Sequence, residues 1–460
     1  MGNTESGSHQ KGLSRILPEE KAEIEQFFEN MCRMQSGPKK SVGLQYFQDA
    51  LRNSLPCSIS QRIFDGIQSV RTNSKSSTMS AEISKEQFLV FYVDLLRGTA
   101  EEKSQVICDM ISCNNSEHMK GHQVQKFLED IIAAVIYVLK QQSLLKGWNL
   151  ENMRDCTLGT QGLAMQLLSQ LQSIDGQKFE RQELLDSPCS KSCIEDWLYK
   201  IPMISLFVRV MLTVGLSILK HHTEHQKDMK TLLPKCTGMK NTSFVSLLDL
   251  PAVMHLNYYL PYEVQHKWRL LFSSQIHGES FSQLCGHILD QGPCLLIVKD
   301  SDGFVFGGFA SQSWKVKPQF QGDSRCFLFS ISPRLDVYTY TGYNDHYMYL
   351  NRAQQSLPNG LGMGGQHEYF GFWIDSNFGI GHSKAKPSCT TYNSPQLSAK
   401  EEFSIHTVEV WAVGDVPEHL LAKNPRSILD SDTEARALLE MAGQTRQSDG
   451  LREVTEEDES

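Results

Sequence analysis

The chain has no Cys-x-x-Cys pair, although it carries twelve cysteines in 460 residues. Cys189 and Cys193 are the closest, then Cys108 and Cys113, and neither has a second pair at zinc-finger spacing, which excludes a structural zinc site. The first fifteen residues lack the apolar core of a secretory signal, so the cysteines are expected to stay reduced. Positive charge is scarce as well. A net charge of −9 and a pI of about 5.9 exclude a general nucleic-acid binder, which needs a basic face. No apolar run is clean enough to cross a bilayer. Residues 201–219 come nearest, but Arg209 sits near their centre at a cost of about 2.5–3.5 kcal/mol. With Pro202 and Gly215 they read as a buried helix, and residues 131–139 are too short to span. There is no G-x-S-x-G elbow and no P-loop. Residues 360–365 spell G-x-G-x-x-G but lack a strand before and a helix after, so they read as a turn.

What is present begins at Gly2. Met-Gly-Asn-Thr-Glu-Ser fits the N-myristoylation pattern, with Gly2 as acyl acceptor and Ser6 at the favoured position. One myristoyl chain binds membranes with only about 10⁴ M⁻¹, so stable attachment needs a second signal. Lys11, Arg15 and Lys21 are offset by Glu5, Glu19 and Glu20, and no cysteine lies beside Gly2. A protein already on the membrane is the expected second anchor.

The first half is patterned as helices. Ile24, Phe27, Phe28 and Met31 recur at helical spacing, as do Ile63, Ile67 and Val70, and then Phe88, Phe91, Tyr92, Leu95 and Leu96. Phe127 to Leu139 forms a longer apolar helix, and Leu163, Leu167, Leu168 and Leu171 another. Polar stretches at 71–80 and 112–121 separate them, an alternation that suggests EF-hand-like architecture. A calcium loop needs oxygen donors at positions 1, 3, 5 and 12 with Gly at 6. With Gly176 at position 6, positions 1 and 12 fall on Leu171 and Gln182, so no metal is expected. His221, His222, Glu224 and His225 read as a polar helix end without a fourth ligand.

From about residue 240 the texture becomes β-rich. A helix containing Trp268, Leu270, Leu271 and Phe272 is predicted after Pro261, and a second with Phe281, Leu284, Ile288 and Leu289. Strands are predicted at 294–299 and 304–310 around an Asp302-Gly303 turn, then at 327–332, 337–341, 347–351, 370–375 and 405–413. Such a run argues a two-sheet β-sandwich covered by helices. Its main carboxylates are Glu279, Asp300, Asp302, Glu368, Asp375 and Glu409. Cys285, Cys294, Cys326 and Cys389 lack an electropositive context and read as small buried hydrophobes. Beyond it, Ser431-x-x-Glu434 is a capping box, and Ala435, Leu438, Leu439 and Ala442 form one stripe of a short helix that must dock on its own domain or on a partner.

Leu260-Pro261, Trp268, Leu270 to Ser273, His277-Gly278, Asp302-Gly303, Val305 to Phe309, Trp314, Gly364-Gly365, Phe370 to Asp375, Gly379, Gly381, Ser383 and Val408 to Trp411 together resemble a TLDc domain over residues 242–414. The chain departs from the family at Gln366, where a third glycine is frequent, and at Phe372, where leucine precedes the tryptophan. The expected fold class is α+β: an all-helical EF-hand-like region, a TLDc two-sheet β-sandwich with covering helices, and a short C-terminal helix. The expected divisions are a myristoylated N-terminus (1–15), the helical region (16–220), a linker (221–241), the TLDc domain (242–414), an extension with an amphipathic helix (415–445) and an acidic tail (446–460). The resemblance implies a non-enzymatic adaptor on the cytoplasmic face of the lysosomal membrane, with a cytosolic pool. Its implied partners are the peripheral sector of the vacuolar proton-pumping ATPase and mTOR complex components. No cofactor is expected beyond the covalent myristate. Gly364, Gly365, Leu438 and Leu439 are the expected partner-contact residues. The alternative is an antioxidant or hydrolytic enzyme using a carboxylate or cysteine of the domain.

Overall fold

The computed structural model describes residues 14–35, 40–70, 81–112, 119–172, 181–219, 232–239, 244–384 and 386–421. Gly2, the histidines at 221–225 and the expected helix bearing Leu438 and Leu439 lie outside the described residues. The chain to Gly414 forms one compact unit, and residues 415–460 form a second, in which the helix Glu418–Leu421 is described.

Among the described residues the helical region repeats the order helix, short strand, helix four times, the fourth with an extra short helix before its strand. The first two units are α1 (Pro18–Arg33), β1 (Ser41–Gly43), α2 (Leu44–Leu51), and α3 (Cys57–Ser69), β2 (Glu82–Ser84), α4 (Lys85–Arg97). The next two are α5 (Ala100–Ile111), β3 (Met119–Lys120), α6 (Gly121–Gln141), and α7 (Cys156–Gln172), α8 (Arg181–Asp186), β4 (Pro188–Cys189), α9 (Lys191–Lys200). Val42 pairs with Ile83 and Met119 with Cys189, which joins the units two by two as in paired EF-hands. If each paired residue is the eighth of a twelve-residue loop, position twelve falls on Tyr46, Gln87, Gln123 and Cys193, where calcium binding requires a bidentate carboxylate. Two of these positions cap helices instead. Gln87 accepts from Ser84 N (3.0 Å) and Gln123 from Lys120 N (2.8 Å).

The apolar stretch around Arg209 is α10 (Pro202–Val210), continued by a π-helical turn, Met211–Gly215. Phe207, Val208, Met211 and Leu212 are buried in the helical core, as its composition predicts. No single helix among the described residues is long and apolar enough to cross a membrane.

The C-terminal half of this unit is a two-layer β-sandwich. The first layer runs β11 (Asp336–Thr339), β10 (Phe327–Ser332), β8 (Val305–Ala310), β7 (Cys294–Asp300), β16 (Glu402–Val413), β6 (Lys267–Ser273) and β5 (Lys235–Thr237). The second runs from the start of β16 through β15 (Ile380–His382), β14 (Tyr369–Asp375), β13 (Gly360–Gln366), β12 (Met348–Asn351) and β9 (Lys317–Gln321). The twelve residues of β16 serve both layers, pairing with β15 at one end and with β6 and β7 at the other. Alternation along β7 separates two cores. Cys294, Leu296 and Val298 face Met363, Phe372 and Ile374 of the second layer, while Leu295 and Ile297 join the core of the helical region. Leu250–Tyr259, here α11, packs in the core shared with the helical region, and Phe281–Ile288, here α12, in the core between the layers.

Three expectations are corrected. Residues around Trp268 form strand β6, not a helix, because β5 and β16 hydrogen-bond its two edges. β5 itself lies inside the expected linker. Residues 360–366 form β13 in the middle of the second layer, not a turn. Gly360 and Gly362 are required because the Trp373 ring lies against them: a Cβ at Gly362 would stand 2.7 Å from that ring.

Candidate interaction site

The outer face of the second layer has no helix over it among the described residues, yet it is strongly aromatic. Tyr349, Phe370 and Trp373 form a small separate core there with Phe320. Simple alternation would put Phe370 inward with Phe372 and Ile374. Gly364 and Gly365, at φ +72° and +77°, twist β13 opposite it and bring Phe370 beside Trp373. The two rings stack at 4.5 Å and 21°. Side chains at either glycine are excluded: a Cβ at Gly364 would meet Cys389 Sγ and Tyr392 at 2.7 Å, and one at Gly365 the Tyr369 carbonyl. Both are buried, so their part is to shape the aromatic face, and the exposed positions beside them are Gln366 and Tyr369.

Histidines extend the stack at both ends. Phe320 lies between His346 (4.1 Å, 14°) and His367 (5.1 Å, 27°), and Trp373 stacks on His382 (5.9 Å, 22°). Burial, helped by Lys384, pushes His382 down to about 4, and burial with His346 nearby lowers His367. These two rings are therefore neutral near pH 7 and extend an apolar strip. His367 Nδ1 and His382 Nε2 are buried without a hydrogen-bond partner among the described residues.

The strip opens at Trp373 and His382 into a groove of ≈ 520 Å³ lined also by Asp302, Asp375, Lys400 and Glu402. Ile380, 54% exposed, stands on its rim. Lys400 pairs with Asp302 at 3.1 Å and Lys384 with Glu402 at 3.3 Å, both at the surface. The central rings are themselves covered (Tyr349 and Phe370 0%, Trp373 4% exposed), so what the groove presents is Ile380 and its ion-paired rim, an apolar position ringed by charge as in a protein contact surface.

The remaining candidate residues do not converge on this groove. Asp300 is buried and ties the β7–β8 hairpin, accepting from Phe304 N (2.8 Å) and Ser398 Oγ (2.5 Å). Glu279 is exposed near the start of α12, and Glu368 is exposed at φ +68° in the β13–β14 turn. Glu409 is wholly buried beneath the 244–248 segment. Burial raises the four thiols: Cys294 to about 12, Cys285 to about 11, and Cys326 and Cys389 also above their ordinary value. They are protonated at neutral pH, the reverse of a nucleophilic thiolate. Of the six carboxylates, Asp302 and Asp375 reach the groove, and Asp302 is ion-paired there with Lys400. The histidine stack was missed in the sequence because its members lie in loops and strand ends 36 positions apart, from His346 to His382, with no common period.

Residues 241–414 match the TLDc domain family. Over its whole length the chain is 52% identical across 467 residues to the mTOR-associated protein MEAK7 of Gallus gallus, covering 99% of that protein. It is 48% identical across 461 residues to the Homo sapiens protein of the same name, covering all of both. Its TLDc half is also 36% identical over 176 residues to oxidation resistance protein 1 of Bos taurus, covering 37% of this chain and 19% of that one. The chain belongs to the TLDc-domain family of mTOR-associated MEAK7 proteins.

Proposed function

We propose that this chain is a non-enzymatic adaptor that regulates mTOR signalling at the cytoplasmic face of lysosomal membranes. A myristoyl group on Gly2 supplies a weak lipid anchor. The TLDc half engages a protein on the membrane, either mTOR complex components or the peripheral sector of the vacuolar proton-pumping ATPase. The reading is carried by end-to-end identity with proteins named as mTOR-associated. The exposed rim residue Ile380, on the groove that the buried aromatic core backs, supports that groove as the contact surface.

Affinity isolation from lysosomal membranes tests it. Wild-type chain is expected to recover one of those assemblies. Ile380→Arg sets a cation in the rim without disturbing the core, and its recovery is expected to fall at least tenfold, about 1.4 kcal/mol, with an unchanged melting curve. Equal recovery by both proteins moves the contact elsewhere, and recovery of neither assembly by wild type defeats the reading.

Gly2→Ala removes the proposed acyl acceptor. Each buried CH₂ contributes about 0.8 kcal/mol to membrane binding. Membrane association in fractionated cells is therefore expected to drop but not vanish, the remainder being held by the protein partner. Complete release would make the lipid the sole anchor.

A further inference from the structure

We propose that the cavity between α10 and α11 is an intramolecular binding site for the myristoyl chain on Gly2, so that one acyl group is shared between this site and the membrane. The proposal rests on the acylation put forward above.

The cavity has one apolar wall on each side. Met203, Leu206 and Arg209 come from a single face of α10, and Met254 and Tyr258 lie one turn apart on α11, with Leu232 and Gln265 at the ends. It therefore spans the helical region and the first helix of the TLDc half. Its volume is ≈ 260 Å³. A cavity of about 150 Å³ holds benzene, so this one has room for roughly ten carbons, most of a fourteen-carbon chain. The two methionines suit a flexible saturated ligand, because thioether side chains repack readily. Its polar lining side chains are Arg209, Tyr258 and Gln265. The Gln265 amide is already used, donating to Leu260 O at 2.8 Å, and Arg209 is the one cationic residue of the lining.

The start of the described chain lies near Arg209. Arg15 forms an ion pair with Glu102. The adjoining Lys103 is lowered by burial and by the Arg209 and Arg97 charges, which puts it within electrostatic reach of Arg209. Gly2 precedes Ser14 by twelve positions. At about 3.3–3.6 Å per residue that tether spans up to about 40 Å, ample to carry the acyl group into the cavity.

Energetics favour a shared chain. A lone myristoyl group partitions into bilayers with about 10⁴ M⁻¹, so a modest internal site competes with the membrane. Holding nine chains in ten lowers the apparent membrane affinity about tenfold.

Vesicle co-sedimentation of the full chain tests this. The protein is acylated with an N-myristoyltransferase, checked by intact mass, and mixed with phosphatidylcholine vesicles containing phosphatidylserine. Leu206→Trp fills the cavity from a half-buried position. The acylated variant is expected to bind vesicles about tenfold more tightly than acylated wild type, while Gly2→Ala forms of both stay in solution. Tyr258→Trp, which fills the cavity from the opposite wall, is expected to behave alike and replaces Leu206→Trp if that variant melts early. In a second arm, a myristoylated peptide of residues 2–13 is titrated into the Gly2→Ala chain. Saturable binding, lost on cavity filling and absent for the unacylated peptide, supports the site even if the transferase leaves Gly2 unmodified, an outcome that would count against the acylation reading alone. Equal vesicle binding by filled and unfilled proteins overturns the proposal. So does binding of free myristate with no binding of the acylated peptide, which would assign the cavity to a free fatty acid.

Discussion

Trp148→Ala is expected to destabilise the unit ending at Gly414 by about 3–5 kcal/mol, the usual cost of emptying a buried tryptophan site. Trp148 is only 2% exposed and lies between the two halves of this unit. Its ring packs on Trp268 of β6 at 5.8 Å and on Trp411 of β16 at 5.3 Å, while its Nε1–H donates to Pro234 O at 2.9 Å. Removing the ring leaves a cavity between two remaining tryptophans and an unpaired carbonyl. Further hydrogen bonds hold the same seam: Lys146 Nζ to Leu233 O at 2.8 Å, Cys236 N to Lys146 O at 2.8 Å, and Asn152 Nδ2 to Phe244 O at 2.5 Å. Denaturant unfolding checks the prediction. A single transition in wild type is expected to separate into two in the variant, as the helical region and the sandwich lose their common core. A loss under about 1 kcal/mol, within the range of surface changes, would mean that the ring is not what couples them.

Glu409→Gln is expected to remove a pH dependence worth about 3 kcal/mol of stability. The Glu409 carboxyl is wholly buried and accepts from Leu247 N (2.6 Å), Ser246 Oγ (2.9 Å) and Trp411 Nε1 (3.2 Å). Burial pushes it up to about 7 from an ordinary 4.5, against the hydrogen bonds and the Arg154 charge, which favour ionisation. Between pH 4.5 and 7 the folded protein thus binds a proton that the unfolded chain has released. Stability from this group is fully present below pH 4.5 and is lost as pH rises through 7. Glutamine resembles the protonated acid in shape and charge. Wild type and variant should melt together near pH 5 and diverge toward pH 8, with wild type the less stable. Because every other titrating group is common to both, their difference isolates Glu409. Parallel melting curves across that range would show that the carboxyl is not buried as described.

Much of the architecture was legible because its signals are local. The Asp302-Gly303 hairpin, the aromatic strand ending at Asp375 and the apolar run 294–299 each declare themselves within a few residues. The helices carrying Ile24 to Met31 and Leu163 to Leu171 did so by their period. Lys267–Ser273 was misread because an apolar cluster this short has no decisive period, and its state depends on strands ending 30 positions upstream and beginning more than 100 downstream. The glycines of β13 were misread for a related reason. Glycine usually marks a turn, but here the space of the missing side chains at Gly360 and Gly362 is taken by the Trp373 ring of the neighbouring strand.

The aromatic site divides in the same way. Trp373 on an outward face follows from alternation alone. Phe370 beside it does not, since two glycines on another strand turn it round, and the three histidines arrive from separate connections.

By itself the sequence determined the features that depend on a residue and its near neighbours: the Met-Gly-x-x-x-Ser motif at its start, the helical and strand patterns, and the TLDc signature. Tertiary structure alone decided which face of each sheet is covered, and by what. Ser246 and Glu409 are 163 positions apart, yet one hydrogen bond joins them and burial there moves a carboxyl by more than two pH units. The same holds for the cavity between α10 and α11, whose walls belong to different halves of the chain. Burial and ring stacking are properties of surroundings, and surroundings assembled across such separations leave no local period to read.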